Sequence, residues 1–381
     1  MFNFLLFVFF IITVSSEEPP QACLDSGTCY KGSWQSTTSG IQFAAYQGIR
    51  FAKAPVGELR FRPPQPLEDE NLGTLDVSQN SNIACLQKKF FQKDTLGQED
   101  CLMLNVYVPE KIYNDDTGKK YPVMFWIYGG GFQVGDGTLL RYGPQLLLNS
   151  DVIIVSINYR LGPFGFLSLG MPEAQGNNGL LDQNLALKWV HKNIGQFGGG
   201  PDMITIFGES AGSMSVAYHI VSPMSRGLFQ RAILQSGIAL SPTAPYFPAT
   251  EAAFNGVSMA KHFNCTSMED YLQCLQSKTA ADILQAKFQG SRISKSGSGY
   301  WMPTIDSSFL PERPKDILER GDFDPDLEVI IGSNTGDGIL YMMDPTLYQD
   351  MREQFDTVAP SKLFFLGQSD ITDKDISNAR K

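Results

Sequence analysis

The 381-residue sequence predicts an α/β fold with a central, mostly parallel sheet flanked by helices. Strand-like and helix-like stretches alternate without a low-complexity linker. Two apolar runs read as strands buried on both faces, and one alternation forms a β-α-β unit that ends at a serine between glycines. With 43% hydrophobic and 18% charged residues the chain can bury a large core, as one α/β domain or as two smaller ones. The absence of a linker favours a single domain over residues 17–381, and no internal repeat is found.

Residues 1–16 read as a signal peptide. Their apolar run, 4–14, is too short to span a bilayer and ends in small residues. The segment before it carries no basic side chain, which keeps an N-terminal membrane anchor as the competing reading. No later segment approaches the length of an apolar transmembrane run, so the mature chain is expected to be soluble and secreted. A net charge of −10, with no basic patch interleaved with aromatics, argues against nucleic acid as a partner.

Six cysteines, Cys23, Cys29, Cys85, Cys101, Cys265 and Cys274, form an even set in a chain expected to enter an oxidising compartment. Sequence leaves the pairing open, although three short loops (23 with 29, 85 with 101, 265 with 274) need the least rearrangement of the core. No CxxC or histidine-rich spacing indicates a metal. Asn264-Cys265-Thr266 is a glycosylation sequon whose middle residue is one of these cysteines.

Residues 123–129 (VMFWIYG) and 151–159 (DVIIVSINY) are the expected central strands. Between 182 and 197 a helical repeat includes Leu185, Trp189 and residues 191–194, and the run Gly198-Gly199-Gly200-Pro201 is expected to end it. A strand over 203–207 then leads into Gly208-Glu209-Ser210-Ala211-Gly212, and "AGSMSVAYHIV" from Ala211 reads as a helix. Two glycines flanking a serine on a sharp strand-to-helix turn leave room for neighbouring chain and expose the hydroxyl. On its own such a match is also an ordinary turn; the strand and helix around it favour a nucleophile. A serine hydroxyl is a poor nucleophile at neutral pH, so Ser210 needs a base.

The strand at 123–129 runs into Tyr128-Gly129-Gly130-Gly131-Phe132. Taken alone, the run is a flexible loop. Paired with the elbow, it is suited to aim backbone N–H groups at a developing oxyanion, with the N–H of Ala211 as a further donor.

Three long stretches resemble the type-B carboxylesterase/cholinesterase family of α/β-hydrolases. They are "YQGIRFAKAPVGELRFRPPQP" (46–66), "EDCLMLNVYVP" (99–109) and "GNNGLLDQNLALKWVHKNIGQFGGGPDMITIFGESAGS" (176–213). The similarity runs from about residue 23 to the end of the chain. It implies the α/β-hydrolase fold and hydrolysis of carboxylic esters through an acyl-serine, without a cofactor. Ser210 matches the family's nucleophile, Gly130, Gly131 and Ala211 its oxyanion donors, and Cys85 with Cys101 and Cys265 with Cys274 two of its disulfides. The pairing of Cys23 with Cys29 rests on spacing alone. Gly200 departs from the acidic or amide residue usual before the proline, an effect confined to that turn.

The triad acid is expected after the serine, at the end of a later strand. In "EVIIGSNTGDG" (328–338) the residues 328–331 read as that strand, and Asp337-Gly338 matches the family's acid-glycine pair, where glutamate is commoner. By composition alone the stretch is a surface turn. The base should follow, yet no histidine lies downstream of Asp337. His219, nine residues after Ser210 on the same helix, is displaced by about 14 Å at about 1.5 Å per residue. His191 and His262 read as structural or surface residues. The final stretch, 363–381, stops without a helix-ending signal, and the resemblance implies a fold incomplete at its C-terminus.

The loop between Cys85 and Cys101 lacks the tryptophan with which cholinesterases hold a quaternary ammonium, and only Phe90 or Phe91 offers a ring. Tyr128 points the other way, towards cholinesterases. The loop outweighs it, favouring a general carboxylesterase acting on a small-molecule ester. The alternative is a non-catalytic cholinesterase-like adhesion or ligand-binding protein, which has no need to keep Ser210, the glycines and Asp337 together.

Overall fold

The computed structural model describes residues 18–68, 70–79, 82–88, 94–240, 246–290 and 301–337. The expected signal peptide, Phe90, Phe91, Gly338 and the final stretch lie outside these residues. Among them, eight strands build one mixed sheet: β1 Ser33–Ser36, β2 Gln42–Arg50, β3 Met103–Pro109, β4 Tyr121–Ile127, β5 Ile153–Ile157, β6 Gly199–Glu209, β7 Arg231–Gln235 and β8 Glu328–Gly332. Across the sheet the order is β8-β7-β6-β4-β5-β3-β2-β1. The five strands from β8 to β5 pair in parallel, whereas β5 with β3, β3 with β2 and β2 with β1 are antiparallel.

Alternation along the strands decides which face is deepest. Val123, Phe125 and Ile127 of β4 stand level with Ile204, Ile206 and Gly208 of β6, and all point to the face carrying α1 (Asn178–Asn193) and α2 (Ala211–Val221). The apolar members of that set are fully buried. On the opposite face Phe43, Ala45, Tyr107, Leu148 and Ile154 make a second, smaller cluster.

Strand β5 is shorter at both ends than its apolar run, and α1 starts at Asn178 rather than 182. The polar side chains Asn178 and Asp182 near the start of α1 are buried. Asn178 donates to the Phe61 carbonyl (2.9 Å), and Asp182 accepts a bidentate pair from Arg160 (2.8 and 2.7 Å) plus the Arg160 backbone N–H (3.0 Å). These polar groups are thus satisfied inside the core. Only the first glycine of the 198–200 run ends the helical segment, through φ of 85° at Gly198; Gly199 already belongs to β6 and pairs with Tyr121 of β4.

Disulfides join Cys23 to Cys29, Cys85 to Cys101 and Cys265 to Cys274. The first bridges two paired strands, the second closes a 16-residue separation in front of β3, and the third ties the end of α3 (Ala249–His262) to α4 (Met268–Gln276). No helix among the described residues is long and apolar enough to cross a membrane.

Candidate active site

Strand β6 ends at Glu209 and α2 begins at Ala211, so Ser210 alone makes the turn. Its backbone sits at φ 54°, ψ −123°, a conformation that costs an L-residue free energy and persists only where neighbours over-determine it. They do so here: the Ser210 N–H donates to the Gln235 carbonyl on β7 and the Ser210 carbonyl accepts from Met214 in α2, both at 2.9 Å. The helix can lie this close because Gly212 has no side chain. A Cβ there would collide with the Ile127 carbonyl at the end of β4.

At the adjacent strand end, Gly130 adopts φ of 120° and its carbonyl accepts from the N–H groups of Gln133 (3.0 Å) and Val134 (3.1 Å), closing a tight turn. Gly131 has φ of 61° and open space where a Cβ would be. No hydrogen bond among the described residues takes up the N–H groups of Gly130, Gly131 or Ala211. Beneath the turn the rings of Tyr128 and Tyr159 stack at 4.4 Å, and each hydroxyl donates to the other's backbone carbonyl (3.0 and 2.8 Å). Burial pushes both phenols far above their ordinary range, so they remain neutral donors.

Past β7, Ser236 also takes a positive φ, 55°, and its N–H donates to Gly332 at the end of β8 (2.8 Å). Strand β8 delivers Asp337 to the same side of the sheet. The Ser236 hydroxyl holds the Asp337 carboxyl below the usual carboxylate range, and the Asn334 N–H, 3.1 Å from Oδ2, adds to the effect. Glu209 moves the opposite way: desolvation by the surrounding protein, and then the negative charge of Asp337, push it up. Sequence reading missed Ser236, because a single serine after a strand carries no periodic or motif signal.

The three histidines lie elsewhere. His219 is buried in α2, with Nδ1 2.7 Å from the Ser225 hydroxyl and Nε2 3.2 Å from Gln183 Oε1; desolvation lowers its pKa to about 3. It is committed to packing, in agreement with its axial distance from Ser210. His191 occupies the last turn of α1, and exposed His262 ends α3, edge-on to Phe263. The structure therefore brings together Ser210, the three glycines and Ala211, and sets Asp337 within electrostatic reach of Glu209, but places no histidine among them.

The arrangement is an elbow serine on the edge of a parallel strand, faced by a glycine turn. Residues 25–379 match the model of the carboxylesterase family. The chain belongs to that family. Membership carries the α/β-hydrolase fold, with which the mixed sheet and its flanking helices agree. Acetylcholinesterase 1 of Caenorhabditis elegans is 39% identical over 84% of this chain and 53% of its own length. A carboxylic ester hydrolase of Bombus ignitus is 36% identical over 93% of this chain and 64% of its own, and the juvenile hormone esterase of Tribolium castaneum is 38% identical over 87% and 58%. This carboxylesterase-family chain thus spans roughly half to two thirds of each of these relatives.

Proposed function

We propose that the whole protein is a serine hydrolase that cleaves carboxylic esters through an acyl-serine intermediate. The observation that carries this reading is the elbow geometry: Ser210 is held in an unfavourable backbone conformation against Gly129, and the N–H groups of Gly130, Gly131 and Ala211 beside it have no partners among the described residues. In the proposed reaction Ser210 Oγ attacks the ester carbonyl carbon while an imidazole removes the hydroxyl proton. The negative charge that develops on the carbonyl oxygen is stabilised by the N–H groups of Gly130, Gly131 and Ala211. Collapse breaks the bond to the alkoxy oxygen, which leaves as the alcohol with the proton from the imidazolium. Water, deprotonated by the same imidazole, then releases the acid from Ser210.

Asp337 is assigned to orient that imidazole. Its lowered pKa keeps it ionised at neutral pH, as the role requires. The imidazole itself is assigned to a residue outside these 381, because His191, His219 and His262 all sit in other surroundings. A histidine encoded beyond Lys381 supports that assignment; a stop codon directly after Lys381 contradicts it.

The substrate reading is a general carboxylic ester, since no tryptophan lies between Cys85 and Cys101 to hold a quaternary ammonium. The signal peptide expected over residues 1–16 and the disulfides support secretion, and the sequon supports a glycan at Asn264, an exposed residue with φ of 58°. The test is hydrolysis of p-nitrophenyl acetate by the full-length protein. Turnover abolished by Ser210→Ala supports the function, as does inertness of the 381-residue stretch on its own. Undiminished turnover in Ser210→Ala contradicts it.

A further inference from the structure

The oxyanion turn is anchored from outside its own segment. Gln87, three per cent exposed, lies in the loop closed by the Cys85–Cys101 disulfide. Its carboxamide makes a reciprocal pair with the backbone of Gly135: Nε2 donates to the Gly135 carbonyl and Oε1 accepts the Gly135 N–H, both at 2.7 Å. A third bond, from Nε2 to the Cys85 carbonyl at 2.9 Å, fixes the amide against the disulfide itself. Every hydrogen of the carboxamide NH₂ is therefore used within the fold.

Gly135 in turn sits against the glycine run. It adopts φ of 126°, and a Cβ on it would stand 2.5 Å from the Tyr128 ring and 2.6 Å from the Gly129 carbonyl. The chain from 130 to 135 is one closed turn, because Gln133 and Val134 both donate to Gly130. Moving Gly135 therefore moves the peptide planes of the glycine run that packs against Ser210.

We infer that Gln87 is a positioning residue for ester hydrolysis, holding the N–H groups of Gly130 and Gly131 in register through Gly135, so that the disulfide loop and the oxyanion turn behave as one rigid unit. The inference rests on the esterase reading above and deepens it. A misplacement of about 1 Å in such a turn costs about 10²-fold in rate, and the effect falls on the transition state because the donors meet full negative charge only there.

The test uses the full-length protein with Gln87→Glu and Gln87→Met. The carboxylate of the first accepts from Gly135 but cannot donate to its carbonyl, and the second keeps the volume with neither bond. Active sites are counted by titration with a fluorophosphonate, so that a loss of folded protein is removed from kcat. The expected result is a fall of about 10- to 100-fold in kcat per titrated site, with KM within about twofold. Affinity for a trifluoromethyl ketone, which forms a tetrahedral adduct on the serine, should weaken in parallel with kcat/KM. A purely structural role would lower the number of titrated sites and leave kcat per site and ketone affinity unchanged, and that result in both variants overturns the assignment. Wild-type protein without Ser210-dependent turnover overturns the esterase reading instead, and the positioning role with it.

Discussion

A Cβ built on Gly129 would stand 3.1 Å from the Cβ of Ser210 and 2.5 Å from the Glu209 carbonyl oxygen, so the end of β4 and the elbow meet backbone to backbone. No side chain fits between them. In the proposed reaction that closeness lets one parallel strand present donors to a serine carried by its neighbour, and the turn that follows Gly129 is the next place to perturb it.

Gly130→Val should reduce turnover by about 10² to 10³, the loss associated with one oxyanion donor. The valine would meet the Val134 carbonyl and would have to leave φ of 120°, tilting the adjacent N–H groups. Steady-state kinetics on folded variant protein check this. Unchanged kcat would reduce the run to an ordinary loop.

Asp182→Ala should destabilise the fold by about 3–5 kcal/mol, because it strands a buried charge. Arg160 is 3% exposed and gives three of its donors to Asp182, two from the guanidinium and one from the backbone. Urea unfolding of the variant measures the effect. A loss below about 1 kcal/mol would place this pair among weakly contributing surface bridges.

The strand-elbow-helix unit was legible because its signals are local: an apolar run, two glycines around a serine, and small residues at helical spacing. The glycine turn after β4 was legible for the same reason. Gln87, Ser236 and Asn178 at the start of α1 were not, since each acts through a partner distant in sequence, such as Gly135, Asp337 or Phe61. A buried asparagine that satisfies a remote carbonyl looks, in sequence, like a loop residue. Periodicity finds faces, and reciprocal side chain-to-backbone pairs have no period.

His219 should make stability depend on pH. Its folded pKa, about 3, lies below the 6.5 expected of the unfolded residue, so between these values the unfolded chain binds a proton that the native state does not. The contribution is fully present above the unfolded pKa and is lost as pH falls, by up to about 1.4 kcal/mol per pH unit. Unfolding free energy measured from about pH 7 to pH 4 should decline less steeply in His219→Gln. Parallel curves for the two proteins would contradict the buried, neutral assignment.

Non-reducing peptide mapping of the full-length protein should recover Cys23 with Cys29, Cys85 with Cys101 and Cys265 with Cys274. Recovery of all six as free thiols would contradict both the pairing and passage through an oxidising compartment.

The central claim is that Ser210 is an activated nucleophile. Its most direct measurement is labelling of the full-length protein with a fluorophosphonate, followed by peptide mass spectrometry. The account predicts a single adduct on Ser210, absent from Ser210→Ala and slowed in Asp337→Asn. Folded wild-type protein that takes up no label at Ser210, or takes it up equally after Ser210→Ala, would contradict the account.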